Sequence, residues 1–281
     1  MSDHQDQRVS TYRKPFDWNR LVFNIFLVIV LFILLVPILI VIFSSFSGKD
    51  HLSWPFTDLT FRWYIEVLNR PLWVKTFINS LITAGLTTFF SLVLATPAAF
   101  ALSKRTDKRE VRFLSSFITW PIMMPPVILG IALLIFLSRI GLRGSYLAIA
   151  IGHTLWAAPL VFITMVAVFE RFNPIYIMAA KDLGANDFQA FMKVTIPMVK
   201  SGIISAMFLA FVISTQEFII ALFLYSPSTI TLPVELYTAI KDELSPGISA
   251  ISVYMIGIVA VGLFVIDRVI GIENVGFSGK G

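Results

Sequence analysis

The residue with the clearest capacity for chemistry is Glu217, a carboxylate inside the apolar run SAMFLAFVISTQEFIIALFLY. Eight positions separate it from Tyr225, so in a continuous helix it lies ~12 Å below the outer end. A charge at that depth costs at least ~2–3 kcal/mol and is usually retained only on an interior or cavity-facing surface. Ser214, Thr215 and Gln216 give the same region a polar face. Two interpretations stand: Glu217 lines a pathway for a cationic solute, or it is a structural carboxylate that pairs with a neighbouring helix or with free backbone groups.

A second polar position in an apolar run is His153, which Trp156 follows on the same predicted span. A single histidine inside a membrane span is either a hydrogen-bonded packing residue or a ligand of the pathway. No His, Cys or carboxylate stands beside it at the spacing of metal ligands, so the sequence predicts no metal site. The chain has no cysteine, which excludes disulfides and thiolate metal sites within it.

The sequence also lacks the motifs of common enzymes. There is no GxxxxGK[ST] loop to hold ATP phosphates, and no GxSxG or HExxH motif for hydrolysis. We therefore predict that the chain is not an enzyme and that it does not itself bind ATP in the P-loop manner.

The composition is that of an integral membrane protein. Hydrophobic residues make up 57% of the 281 positions and charged residues only 14%, whereas soluble domains have about 45–50% and about 25%. The net charge of +5 is not a nucleic-acid signal, because the basic residues cluster beside apolar runs. The first apolar run is too long for a cleaved signal peptide, so we expect it to remain as an anchor.

Apolar runs long enough to cross ~30 Å of hydrocarbon predict six spans. They cover 21–43, 76–102, 113–137, 145–170, 198–225 and 248–271. We therefore divide the chain into an N-terminal tail (1–20), a transmembrane domain (21–271) and a C-terminal tail (272–281). With the N-terminus inside, 15 of the 22 Lys and Arg residues fall on the inner side, which predicts that both termini face the cytoplasm.

The third predicted span contains the run WPIMMPPVILG. The adjacent prolines Pro125 and Pro126 remove backbone donors and must break the helix. Broken backbone at membrane depth is tolerated where it faces protein or a water-filled cavity, as in transport pathways. The alternative is a kink without a functional role.

A polar stretch between the fourth and fifth spans predicts two short amphipathic helices at about right angles, over residues 174–192. Asn173 and Pro174 are typical of a helix start, and Gly184 of a left-handed helix end. Asn186 and Gln189 then stand in capping-box positions for a second helix. Such a pair on the cytoplasmic side is suited to being held by another protein.

At this helical pair the chain resembles the permease subunits of binding-protein-dependent ABC importers. Their cytoplasmic signature is Glu-Ala-Ala, three residues, Gly, nine residues, Ile-x-Leu-Pro. Here Ala179-Ala180, Gly184 and Val194-x-Ile196-Pro197 stand at the same spacing, and Met178 replaces the leading Glu. One charge contact with the ATPase is therefore in question, and Lys181 or Asp182 can substitute.

The resemblance extends over nearly the whole chain, through Phe61-Arg62-Trp63-Tyr64 and Asn79-Ser80-Leu81. Residues 214–249 are most similar to the polyamine branch of these permeases, in which Glu217 matches an acidic position. That branch is similar to permeases for opines, phosphonates and ferric iron, so these solutes remain alternatives.

The resemblance implies an all-α membrane protein with six transmembrane helices of the type I ABC importer permease kind. The helices between spans four and five would then couple the chain to the ATPase, and the expected coupling residues are Met178, Ala179, Ala180, Lys181, Asp182, Gly184, Ala185 and Phe188. The expected pathway residues are His153, Trp156, Ser214, Gln216 and Glu217.

The implied partners are a second, related permease chain, two ATPase subunits that bind ATP and Mg, and an external solute-binding protein. The implied location is the bacterial cytoplasmic membrane. A secondary transporter or channel that works without an ATPase remains the competing hypothesis. A membrane-bound enzyme would need a catalytic constellation that the sequence does not contain.

Overall fold

A computed structural model describes residues 18–51, 58–105, 107–242 and 244–270. The predicted terminal tails lie outside these ranges, except for residues 18–20. The described parts are helical, without a strand, and the first helix begins at Trp18, slightly before the predicted span. The helices are α1 (Trp18–Ser44), α2 (Arg62–Asn69), α3 (Pro71–Ser103), α4 (Lys108–Thr119), α5 (Pro126–Arg139), α6 (Tyr146–Glu170), α7 (Ile175–Asp182), α8 (Asp187–Ala190), α9 (Ile196–Met198), α10 (Lys200–Gln216), α11 (Ile219–Leu224), α12 (Leu232–Asp242) and α13 (Pro246–Ile270).

Four of these helices, α1, α3, α6 and α13, are long and apolar enough to cross a membrane without a break. Two bent pairs bring the number of candidate spans to six, which agrees with the predicted number. The first pair is α4 with its 3-10 continuation Trp120–Met123, followed by α5 at an angle of 92°. The chain is extended at Met124 and Pro125 between them, so the predicted proline break in the third span is confirmed.

The second bent pair meets at the start of the predicted fifth span, and that span, 198–225, is not one continuous helix, because α10 ends at Gln216 and α11 begins at Ile219. The segment from Asp187 to Met198 meets α10 at 78°, and α10 itself ends at Gln216. Pro197 has no N–H for a preceding carbonyl, and a π-helical turn, Phe191–Thr195, comes directly before α9. The depth of Glu217 that a continuous helix predicts is therefore also wrong, because Glu217 lies in the break between α10 and α11.

The centre of the bundle is formed by α3, α6 and α10, which pack closely together. Their shared apolar core contains Phe162, Met165 and Phe169 of α6 with small residues of α3 and α10. A second core joins α5, α6 and α11. By contrast, α1 packs against α13 and leaves most of its apolar side chains exposed.

Most of the buried face of α3 is polar up to Thr96, whereas Ala95, Ala99 and Leu102 near its end belong to the apolar core. Its buried polar side chains form a stripe of roughly helical period: Thr76, Asn79, Ser80, Thr83, Thr87, Thr88, Ser91 and Thr96. Helix contacts inside membranes favour such small and polar side chains, because lipid already solvates the apolar face. This stripe is the surface on which the polar groups of α6 and α10 meet α3.

Candidate functional site

Two regions carry functional potential, and the first is the helical pair α7–α8. Oδ1 of Asn173 accepts a hydrogen bond of 3.0 Å from the N–H of Ile175, so Asn173 caps α7. Gly184 has φ +89° and ends this helix in the left-handed region, as predicted. The predicted capping box is also confirmed, because Asn186 and Gln189 exchange hydrogen bonds of 2.8 and 3.1 Å.

The second helix of the pair extends beyond the predicted end at residue 192, since α8 (Asp187–Ala190) continues directly into the π-helical turn and α9 as far as Met198. An ion pair crosses the turn between the two helices, with Nζ of Lys181 2.6 Å from Oδ1 of Asp187. Four local devices, two caps, one glycine and one ion pair, therefore hold this short segment in one shape.

The pair presents most of its side chains outward and is attached to the bundle at few points. Ile177 of α7 and Ala190 of α8 are buried. The ring of Phe191 lies 4.6 Å from that of Phe100 on α3, which in turn lies 5.3 Å from Phe169 on α6. This aromatic row, Phe191–Phe100–Phe169, connects the helical pair to the cytoplasmic ends of both spans.

The predicted coupling residues lie on the outward surface. Met178, Ala179, Lys181, Asp182, Gly184 and Phe188 are exposed, and Ala180 and Ala185 are half-buried. The predicted apolar face of α7 is exposed too, with Leu183 90% accessible. Large apolar side chains are rarely left in contiguous exposed patches on a surface that binds nothing. The pair therefore has the properties of a docking element.

The second region is a buried polar cluster where α3, α6 and α10 meet. Nδ1 of His153 lies 2.8 Å from Oγ of Ser214, which donates a 3.2 Å hydrogen bond to Oγ1 of Thr87. Nε2 of His153 lies 3.2 Å from Oε2 of Glu217, although the angle is not that of a hydrogen bond. His153 is 1% and Glu217 9% exposed, so the cluster is inside the protein.

The carboxylate of Glu217 also binds the backbone. Both of its oxygens accept from the N–H of Ile220 at 3.0 Å, and Oε2 accepts from the N–H of Ala221 at 3.1 Å. This geometry corresponds to the second interpretation of Glu217, in which the carboxylate pairs with another helix and with free backbone groups.

The five predicted pathway residues do not share one surface. His153, Ser214 and Glu217 are brought together inside the bundle, and Trp156 is half-buried against the core of α5, α6 and α11. Gln216 is exposed at the end of α10 and lies in a groove with residues of α1, α12 and α13. Among the described residues, no group of three or more His, Cys, Asp or Glu could hold a metal ion.

Sequence reasoning missed two polar residues that organise this region, Asn79 and Thr87. Nδ2 of Asn79 donates to the carbonyls of Ser228 and Ile230 at 3.1 and 2.8 Å, and its Oδ1 accepts from Tyr146 at 2.7 Å. Asn79 thereby ties α3 to α6 and to the segment before α12. The periodic polar stripe along α3 is the signal that could have identified both residues.

The chain matches one family model and is similar to curated transport proteins. The family model described as "Binding-protein-dependent transport system inner membrane component" matches residues 68–272. The chain is 26% identical over 224 residues to the spermidine/putrescine transport system permease protein PotC of Escherichia coli strain K12, covering 79% of this chain and 84% of that protein. It is 29% identical over 234 residues to the putrescine transport system permease protein PotI of the same strain, covering 81% and 83%.

Solved structures show the same architecture. A chain of a bacterial ABC transporter involved in the import of the acidic polysaccharide alginate matches with a TM-score of 0.70 at 22% identity, covering 90% of this chain and 98% of that one. A chain of the MetNI methionine ABC transporter in an inward-facing conformation matches with a TM-score of 0.59 at 18% identity, covering 73% and 95%. The predicted fold class, an all-α membrane protein of the ABC importer permease kind, is confirmed.

Proposed function

The chain belongs to the family of binding-protein-dependent transport system inner membrane components, and from this we propose how it works as an ABC importer permease. It forms half of a translocation pathway through the cytoplasmic membrane of a bacterium. The other half is a second, related permease chain. Two ATPase subunits bind ATP and Mg and drive the cycle, and an external binding protein delivers the solute.

The observation that carries this proposal is the exposed, locally capped helical pair α7–α8 between two spans. Its capping box and its ion pair link the two helices locally, and Ile177, Ala190 and Phe191 attach it to the bundle. Its apolar side chains, among them Met178, Leu183 and Phe188, are exposed and available to a partner. The pair is the contact surface for one ATPase subunit, and the coupling residues are those predicted for residues 178–188.

The attachment of the pair supports transmission of movement into the membrane. The aromatic row Phe191–Phe100–Phe169 links it to α3 and α6. Close to it, a Cβ added at Gly202 of α10 would come within 2.4 Å of Val168 on α6, so the two helices are in intimate contact. Packed interfaces shift as units rather than deforming continuously. Movement of the ATPases therefore reaches α6 and α10 together and switches access of the pathway.

The cargo is a polyamine or another organic cation. The support for this is the similarity to PotC and PotI, whose names describe transport of spermidine and putrescine. Opines, phosphonates and ferric iron remain alternative solutes, and transport without an ATPase is the competing mechanism. Within the chain, exposed Gln216 faces the pathway. His153, Trp156, Ser214 and Glu217 support the wall behind it.

The arrangement in the membrane follows from the distribution of charge. In the proposed orientation both termini and the pair α7–α8 lie on the cytoplasmic side, and the excess of Lys and Arg there supports it. The proposal retains the division into a six-span transmembrane domain (21–271) between two short cytoplasmic tails.

Copurification with a nucleotide-binding protein tests the proposal, with Phe188→Asp as the main variant. A charge at this exposed apolar position should prevent docking, so the variant should lose both the ATPase and solute uptake while still inserting into the membrane. Leu59→Asp is the matched control, because Leu59 is 71% exposed in the first outer loop and Phe188 is 72% exposed. Uptake of radiolabelled putrescine measures function in cells that lack the chromosomal copy.

Retention of the ATPase and of uptake by Phe188→Asp would contradict the docking proposal. Uptake that persists when no nucleotide-binding protein is present would favour a secondary transporter. Failure of the wild-type assembly to take up putrescine would overturn the cargo and leave the docking proposal intact.

A further inference from the structure

The break in the fifth span creates a local problem of hydrogen bonding. The chain leaves helical geometry at Glu217, where ψ is 121°, and α11 begins at Ile219. The N–H of Leu222 binds the carbonyl of Phe218 at 2.9 Å, but the preceding amides of a helix have no carbonyl one turn earlier. Ile220 and Ala221 are both 0% exposed, so bulk water does not reach their amides, and a buried N–H without a partner is costly.

The side chain of Glu217 satisfies two of these amides. Its oxygens accept from the N–H groups of Ile220 and Ala221 at 3.0–3.1 Å. With a neighbouring histidine ring 3.2 Å away, protein groups surround the carboxylate, and it is only 9% exposed. A carboxylate in this state has little capacity left for a cation in the pathway.

The same carboxylate connects the break to the rest of the bundle. Its neighbour His153 belongs to α6 and contacts Ser214 of α10, and Ser214 donates to Thr87 of α3. The contacts therefore run from the backbone of α11, through Glu217, to all three central helices. Contacts with both the α11 backbone and α6 are those expected of a residue that holds a break in place.

We infer that Glu217 is a positioning residue, whose carboxylate caps α11 and holds the break of the fifth span against His153 of α6. Its negative charge does not bind the cargo. This inference rests on the proposed function only in that the break belongs to a transport pathway. According to this inference, Glu217 fixes the backbone geometry of the break, and this geometry leaves the adjacent Gln216 exposed.

Three substitutions at position 217 separate a positioning role from a cargo-binding role, because they change the charge and the length of the side chain independently. Glu217→Gln retains the length and a carbonyl oxygen that can accept from the two amides, but it has no charge. Glu217→Asp retains the charge but is one methylene shorter, so it cannot reach both the amides and His153. Glu217→Ala removes both. A positioning role predicts that Gln functions better than Asp and Ala, and a cargo ligand predicts that Asp functions better than Gln.

The experiment uses the complete transporter in lipid nanodiscs and proteoliposomes, with radiolabelled putrescine as the probe. Hydrogen exchange read by mass spectrometry reports the protection of the peptide that contains Ile220 and Ala221. We expect Gln to retain this protection and a KM for putrescine within about twofold of wild type. Asp and Ala should lose protection, and the maximal uptake rate should fall about tenfold without a matching change in KM.

Two results would overturn the inference. One is a KM about tenfold higher in Glu217→Gln with wild-type exchange protection, which would make Glu217 a cargo ligand. The other is unchanged protection in both Asp and Ala. If Glu217→Ala does not accumulate in the membrane, the comparison of uptake by Glu217→Gln and Glu217→Asp still distinguishes the two roles. If wild type does not transport putrescine, the proposed cargo is wrong, and the exchange measurement alone tests the role of Glu217.

Discussion

Replacing Gly184 by alanine should uncouple ATP hydrolysis from uptake, because Gly184 sets the turn between α7 and α8. Its φ is +89°, and a Cβ added there would meet no heavy atom within 4 Å. The added methyl group therefore causes no clash, and its cost is conformational only. An L-residue in the left-handed region costs roughly 1–2 kcal/mol. That cost lowers the ratio of intact to distorted turns by roughly 5–30-fold.

Gly141, in the turn after α5, provides a matched control. Its φ is +73°, and it too has nothing within 4 Å of an added Cβ. Gly141→Ala should therefore have a similar conformational cost at a site far from the helical pair along the chain. The two variants should lower the melting temperature by similar amounts, and they should differ only in coupling.

The assay measures ATP hydrolysis and uptake together in proteoliposomes that contain the complete transporter and its binding protein. Gly184→Ala should lower the number of solutes moved per ATP hydrolysed, and Gly184→Val should lower it further, since a β-branched residue tolerates positive φ poorly. Gly141→Ala should keep the wild-type ratio. A normal ratio in both Gly184 variants, or an equal loss in Gly141→Ala, would refute the reasoning.

Three further predictions concern packing, charge and pH. Gly202→Leu should destabilise the chain by about 1–3 kcal/mol, because its Cβ would approach Val168 within 2.4 Å; an unchanged melting temperature in detergent would contradict this. Lys181→Ala removes an exposed ion pair across the α7–α8 turn. Such a pair contributes no more than about 1 kcal/mol to the free energy of unfolding, so the melting temperature should change little. A large decrease would contradict this. Burial, and secondarily Asp242, raise the pKa of Glu235 above its ordinary value of 4.5. The charged form is therefore disfavoured in the folded state, and stability increases as the pH falls through the raised pKa. Glu235→Gln should then stabilise the protein at pH 7 relative to wild type, and melting curves should show this difference vanish below pH 4.5; a difference that persists there would contradict the assignment.

Much of the fold follows from the sequence because membrane insertion and local backbone chemistry depend on neighbouring residues. The length of an apolar run decides whether it can cross the bilayer. The proline pair at Pro125–Pro126 removes donors wherever it is placed, and the bend of 92° follows. The capping box at Asn186 and the left-handed turn at Gly184 are equally local, and both are present as predicted.

The candidate site is less accessible to sequence reasoning, because its members are distant along the chain. His153 belongs to α6, Thr87 to α3 and Glu217 to the break after α10, and only the packing of these elements determines which polar atoms meet. The sequence identified Glu217 and His153 as unusual but left open what they contact. It allowed free backbone groups as partners of Glu217 but could not identify them as the amides of Ile220 and Ala221, because the apolar run shows no sign of a break at that position.

The sequence by itself determined that the chain crosses the membrane, where it bends at prolines, and that a capped helical pair interrupts the spans. These properties depend on the free energy of transferring a segment into lipid and on backbone geometry within a few residues. Only the tertiary structure decided that the polar face of α3 is buried and that the carboxylate of Glu217 binds backbone amides. The physical reason is that a polar group in the membrane must find a partner, and helix packing alone determines which partners are within reach.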